Sequence, residues 1–161
     1  MVLILDRSDS IDVRDIPEQH VLGTRGRTDM ARIVNDIGAM YQELFGYLNS
    51  EGIPPFGPPY AEYVEVNEKD VDLDCGVAVA PGTKGQGRIA ARVMPGGKAL
   101  RAVHRGPYET MVDTYNRIDA WVKANGYVYA GNVREIYLSN PQQDKDGSKW
   151  TTEIVWPVRK T

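Results

Sequence analysis

Residues 151–158, TTEIVWPV, alternate as a β-strand should. Thr152, Ile154, Trp156 and Val158 fall on one face, and Thr151, Glu153 and Val155 on the other. Glu153 breaks the pattern, placing a carboxylate in a run that is otherwise apolar or threonine. In a sheet with one wet face it would point at water. If it lines a cavity instead, it needs a cation or hydrogen-bond donors, because a lone buried carboxylate is costly. The stretch also has an earlier counterpart: VAVAP at 77–81 matches EIVWP at 153–157, with Pro81 on Pro157.

Working outward, the rest of the chain repeats as well. Strand patterns at 11–16 and 20–27 precede a helix from about Met30 to Asn49. Thr28 and Asp29 are N-cap types for that helix. Its stripe is Met30, Ile33, Val34, Ile37, Tyr41, Leu44, Phe45 and Leu48, and Gly52 ends it. The loop IPPFGPP at 53–59 leads to strands at 60–66 and 73–80. After a PGTKGQG connector, RIAARVMPGGKALRAVHRG reads as two strands in a hairpin around Pro95-Gly96-Gly97. A second helix runs from about Glu109 to Asn125, with Gly126 as its stop. REIYLS at 134–139, the polar hairpin loop QQDKDGSK and the opening stretch close the chain. Gly52 and Gly126, Gly57 and Gly131, Tyr63 and Tyr137, and Tyr47 and Trp121 are all spaced by the same interval.

The expected organisation is one domain over 1–161, an internal repeat of about 10–81 and 88–158, and a linker at 82–87. The expected class is α+β, with two pseudo-symmetric modules pairing about an axis that leaves a cleft. Aligned on VAVAP, Glu153 falls opposite Val77, so the second half departs from the first at this acid.

The bulk numbers narrow the class. The chain has 161 residues, a net charge of -3 and 42% hydrophobic content, which supports a real core and argues against disorder. No Lys/Arg block marks a nucleic-acid surface. The start, MVLILDRSD, has no basic residue before its apolar run and no cleavage-like site, so we expect no leader, no membrane span and a cytoplasmic location. Cys75 is the only cysteine and reads as a buried strand thiol. His20, His104 and Cys75 have no metal-ligand spacing, and PGTKGQG lacks the phosphate-loop pattern, so no metal and no cofactor are expected.

MPGGKALRAVHRGPYE, the helix ending WVKANGY, REIYLSNP and TTEIVWPV, in that order, resemble the GyrI-like or AraC-type effector-binding domain. IDVRDIP and PPFGPPY extend the likeness over nearly the whole chain. The resemblance implies two strand–helix–strand–strand modules in one concave antiparallel sheet backed by two long helices. It implies a pocket for bulky, flat, often cationic molecules, with a Glu of the last strand, here Glu153, at its floor. Some stand-alone members resemble hydrolases that open cyclopropane rings of DNA-alkylating natural products. Activators of the family carry a helix-turn-helix region, for which this chain has no room. The expected roles are therefore sensing for a partner, sequestering a ligand, or catalysis.

In a binder, Glu153 would offset a ligand's positive charge beside aromatic walls. In a hydrolase it would be the general base, with Tyr137, or its mate Tyr63, donating a proton or hydrogen bond. Ile136 and Leu138 are expected on the helices, leaving Glu135, Tyr137 and Ser139 on the opposite face. Tyr137 and its mate Tyr63 are either pocket or core residues. Tyr47 and Trp121 are either two walls of one cleft or core packing. Phe56 is either a cover over the pocket mouth or a loop anchor, and Met40 either wall or core. Trp156 and Tyr108 read as packing residues. The expected partners are hydrophobic or cationic aromatic small molecules, with a regulator or gyrase as a protein partner and no direct contact with nucleic acid.

Overall fold

The computed structural model describes residues 11–140 and 143–161; the opening run MVLILDRSD lies outside the described residues. In chain order the elements are β1 (Asp12–Ile16), β2 (Gln19–Thr28), α1 (Ile33–Glu51), β3 (Tyr60–Val66), β4 (Val71–Ala78) and β5 (Ile89–Met94). There follow β6 (Gly97–Arg105), α2 (Met111–Ala124), β7 (Tyr127–Tyr129), β8 (Arg134–Tyr137) and β9 (Thr151–Lys160). The strands pair antiparallel in the order β1-β6-β9-β8-β3-β4-β2-β5, with β7 added along β9. The fold is α+β, built from two strand–helix–strand–strand modules, β2-α1-β3-β4 and β6-α2-β8-β9, that share one sheet.

The modules meet where β3 pairs β8. Ala61 faces Glu135 there, between the pairs Tyr60–Ile136 and Glu62–Arg134. A local two-fold through the Ala61–Glu135 pair therefore relates Tyr60, Ala61, Glu62 and Tyr63 of β3 to Arg134, Glu135, Ile136 and Tyr137 of β8. Residues that face each other across paired strands share a face of the sheet. By register, Leu22, Cys75, Ala61, Glu135, Ile154 and Ala102 all lie on one face. Both helices cover that face. Leu44 and Leu48 of α1 pack with Leu22, Val77, Val79 and Ile89, and Ile118 and Val122 of α2 with Leu100, Ala102, Ile154 and Val158.

Three sequence readings change. The Pro95-Gly96-Gly97 segment is not a hairpin turn. β5 leaves it to pair with β2, whereas β6 pairs with β1 and β9. Each module thus has the other module's leading strand at its edge. The two connections, Pro17-Glu18 and Pro95-Gly96, cross so closely that a side chain at Gly96 would meet the Ile16 carbonyl oxygen at 2.7 Å. The first helix starts at Ile33, not Met30, because Asp29 Oδ1 accepts from the amides of Ala31 and Arg32 and holds a turn first. Met30 and Val34 are consequently exposed, and the buried stripe is Met40, Leu44 and Leu48. Gly52 does end this helix, in the left-handed conformation at φ 65°. Finally, the faces of REIYLS are reversed. Glu135 and Tyr137 lie on the helix side, Ile136 packs on the far side with Val21, Tyr60 and Met94, and Leu138 is exposed.

Candidate functional site

Glu135 stands at the junction of the modules with its side chain toward the helices. The residue is 6% exposed. Three phenols donate to its carboxylate: Tyr63 to Oε1 at 3.0 Å, Tyr137 to Oε1 at 2.8 Å and Tyr115 to Oε2 at 2.5 Å. Two of the donors are the strand mates Tyr63 and Tyr137. The third comes from α2, and its mate on α1, at the spacing that relates Tyr63 to Tyr137, is Tyr41. The Tyr41 hydroxyl donates to the Tyr60 carbonyl, and its ring meets Tyr137 edge-on at 6.3 Å. The result is a near-symmetric box of four tyrosines. Its symmetry is broken on the axis, where the first module has Ala61 and the second Glu135.

Electrostatically the box is an acid held by neutral donors. Burial raises the pKa of Tyr63, Tyr115 and Tyr137 well above the ordinary phenol value, and the Glu135 charge raises it further. The hydroxyls therefore stay protonated and continue to donate. Among the described residues Glu135 has no ion pair. A hydrogen bond to a charged group contributes roughly 1.5–3 kcal/mol, against a burial cost of several kcal/mol for an ion. Further rings extend the box: Tyr108 lies 5.9 Å from Tyr137 and 5.1 Å from Trp150, and Phe45 lies 6.2 Å from Tyr41. On the other side Trp156 meets Tyr115 edge-on at 6.0 Å and stacks on Tyr129 at 4.1 Å.

Glu153 is elsewhere. It faces Ile136 and Val103 in the sheet, on the side without helices. It is not an unpaired acid: Arg101 Nε donates to Oε2 at 2.9 Å, and both side chains keep 23% of their exposure. Nor does it depart from the repeat. Glu62 faces Asp74, and its two-fold mate Ile136 faces Glu153, so the equivalent of Glu153 is Asp74, not Val77. Asp74 is likewise paired on that far face, accepting from Arg92 at 2.6 Å and from Tyr60 at 3.1 Å. Aligning on Pro81 and Pro157 slipped the register by three residues. A slip by an odd number exchanges the faces of a strand.

Of the other expected residues, Tyr63 and Tyr137 come together on Glu135. Met40 is buried beneath them with Ala61, Leu73 and Cys75. Tyr47 packs over the first module's core and donates to the Lys84 carbonyl at 2.8 Å. Trp121 stacks on Tyr127 at 5.6 Å over the second core. They are not two walls of one cleft. Phe56 is exposed in its loop, which is tied by its amide to the Ala78 carbonyl at 2.8 Å. Cys75 is buried, and its thiol pKa is pushed up to about 12 by that burial. His104 is buried with Nδ1 2.7 Å from Thr114 Oγ1 and Nε2 3.0 Å from the Pro107 carbonyl. A separate cavity of about 290 Å³, lined by His104 with Arg105, Asp113 and Arg117 among others, holds none of the expected site residues.

Sequence reading passed over Glu135 and Tyr115, although both were within its reach. The interval that pairs Tyr63 with Tyr137 also pairs Tyr41 with Tyr115 and sets Ala61 against Glu135.

A family model for the GyrI-like small molecule binding domain matches residues 9–159, and the chain belongs to that family. Among solved structures it is similar to the EcmrR C-terminal domain, with 28% identity and a TM-score of 0.83, over 94% of this chain and 98% of that one. SAV2435 bound to tetraphenylphosphonium is similar at 11% identity and a TM-score of 0.69, over 93% of this chain and 94% of that one. A hydrolase from Listeria innocua is similar at 17% identity and a TM-score of 0.67, over 94% and 93%. The last two share the fold. No curated protein matches the chain. No helix among the described residues is long and apolar enough to cross a membrane.

Proposed function

We propose that this GyrI-like domain binds flat, lipophilic cations at Glu135 and acts as a cytoplasmic sensor or sequestering domain. One observation carries the reading. A buried carboxylate with no cationic partner sits on the symmetry axis, surrounded by phenol rings. The hydroxyls hold the charge while the site is empty. A ligand cation would displace one or more of them and meet the carboxylate in a low-dielectric setting, where the attraction is far stronger than in water. The displaced rings would then serve as walls, each worth about 0.5–2 kcal/mol in cation–π contact. The likeness to SAV2435, solved with a lipophilic cation, agrees with this ligand class.

Hydrolysis of a strained ring is the competing use of the same residues, with Glu135 in place of Glu153 as base. A carboxylate offers about four acceptor positions, and three are already taken by phenols. That leaves little room to seat and deprotonate a water, so binding is favoured.

The test is Glu135→Gln, which keeps the shape and an oxygen acceptor but removes the charge. Affinity for tetraphenylphosphonium, followed by tryptophan fluorescence, should fall about tenfold to a hundredfold, as expected for losing 1.5–3 kcal/mol. The melting temperature should hold or rise. Equal affinity in the two proteins would end the proposal, and steady product formation from a cyclopropane substrate would favour the hydrolase.

A further inference from the structure

A second carboxylate is linked to the tyrosine box. The interval that relates Tyr41 to Tyr115 also relates Phe45 to Asp119, one helical turn further along each helix. The first module places an aromatic ring at this position, packed 6.2 Å from Tyr41. The second places an acid. Asp119 Oδ1 accepts from the Tyr129 hydroxyl at 3.3 Å, and Tyr129 stacks on Trp156 at 4.1 Å. Trp156 meets Tyr115 edge-on at 6.0 Å, and Tyr115 donates to Glu135. An unbroken run of rings therefore joins a buried acid to a half-exposed one. The competitor for Asp119 is Lys123, 2.8 Å away on the same helix and largely exposed. Pairs of that kind are held weakly and yield readily to a better partner.

We propose that the site takes elongated dicationic aromatic molecules, with one charged head at Glu135, the second at Asp119, and the linking rings along Tyr115, Trp156 and Tyr129. This rests on the reading of Glu135 as the cation-binding carboxylate. It adds polarity to the site: the end near Phe45, Tyr108 and Trp150 carries aromatic rings, and the end near Asp119 is acidic.

The experiment compares pentamidine, which carries two benzamidines, with 4-pentyloxybenzamidine, which carries one, in wild type, Asp119→Asn and Glu135→Gln. In wild type the dication should bind several-fold more tightly. Asp119→Asn should erase that advantage and leave the monocation's affinity unchanged. Lys123→Met, which frees Asp119, should widen it. Equal affinity of the two ligands in wild type, or an equal loss of both in Asp119→Asn, overturns the second subsite while leaving the first intact. If Glu135→Gln binds the monocation as well as wild type does, or neither ligand binds wild type, the Glu135 reading fails and this proposal fails with it.

Discussion

At the scale of single residues, Glu135 and Glu153 show that position in the sheet decides what a carboxylate can do. Both sit on neighbouring central strands, in adjacent pairs of one ladder, and so they point to opposite faces. Glu153 meets a guanidinium that neutralises it at 2.9 Å, while Glu135 meets only hydroxyls. The first is a structural ion pair with modest worth, and the second is the carboxylate that the proposed function assigns to a ligand. Glu153→Gln should therefore cost under about 1 kcal/mol in chemical denaturation, the usual worth of a partly exposed pair. It should leave tetraphenylphosphonium affinity unchanged. A loss of binding comparable to that of Glu135→Gln would mean that the far face of the sheet takes the ligand.

At the scale of elements, the crossing of the two interstrand connections is the distinctive feature. β1 precedes β2 in the chain but pairs with β6, and β5 precedes β6 but pairs with β2. Gly96 lies at the crossing, where an added Cβ would fall 2.7 Å from the Ile16 carbonyl oxygen and 2.8 Å from the Glu18 amide nitrogen. Both obstacles are backbone, so neither can move as a flexible side chain would. Gly96→Ala should cost on the order of 1–3 kcal/mol, as overpacking does, visible as a lower urea midpoint with an unchanged slope. A neutral result would show that the crossing is loose.

The same exchange of strands governs the whole molecule. Each module lacks one edge strand unless the other supplies it, and the shared pairing of β3 with β8 supports the only buried acid of the tyrosine box. The two halves should therefore not fold alone. Fragments ending and starting in the 82–87 connector should each lack cooperative melting, and mixing them should restore both the melt and cation binding. Cooperative melting of either isolated fragment would show that the borrowed strand is dispensable.

The sequence by itself determined the element types and the two-module class from its patterns, and its resemblance to the GyrI-like domain determined the family. Alternation, helical stripes and the glycine stop at Gly52 are all short-range signals, and the repeat spacing of Tyr63 from Tyr137 is legible without a structure. Only the tertiary structure decided which acid the tyrosines surround. The REIYLS pattern separates Glu135 and Tyr137 from Ile136 but does not say which set the helices cover, and an alignment of β9 on β4 three residues out of register makes Glu153 stand out from a repeat that it in fact follows. The PGG segment likewise carries turn chemistry whether its strands pair with each other or part company. Register, face and strand order are set by contacts between residues far apart in the chain, and those contacts put one unpaired carboxylate among the tyrosines and another beside an arginine.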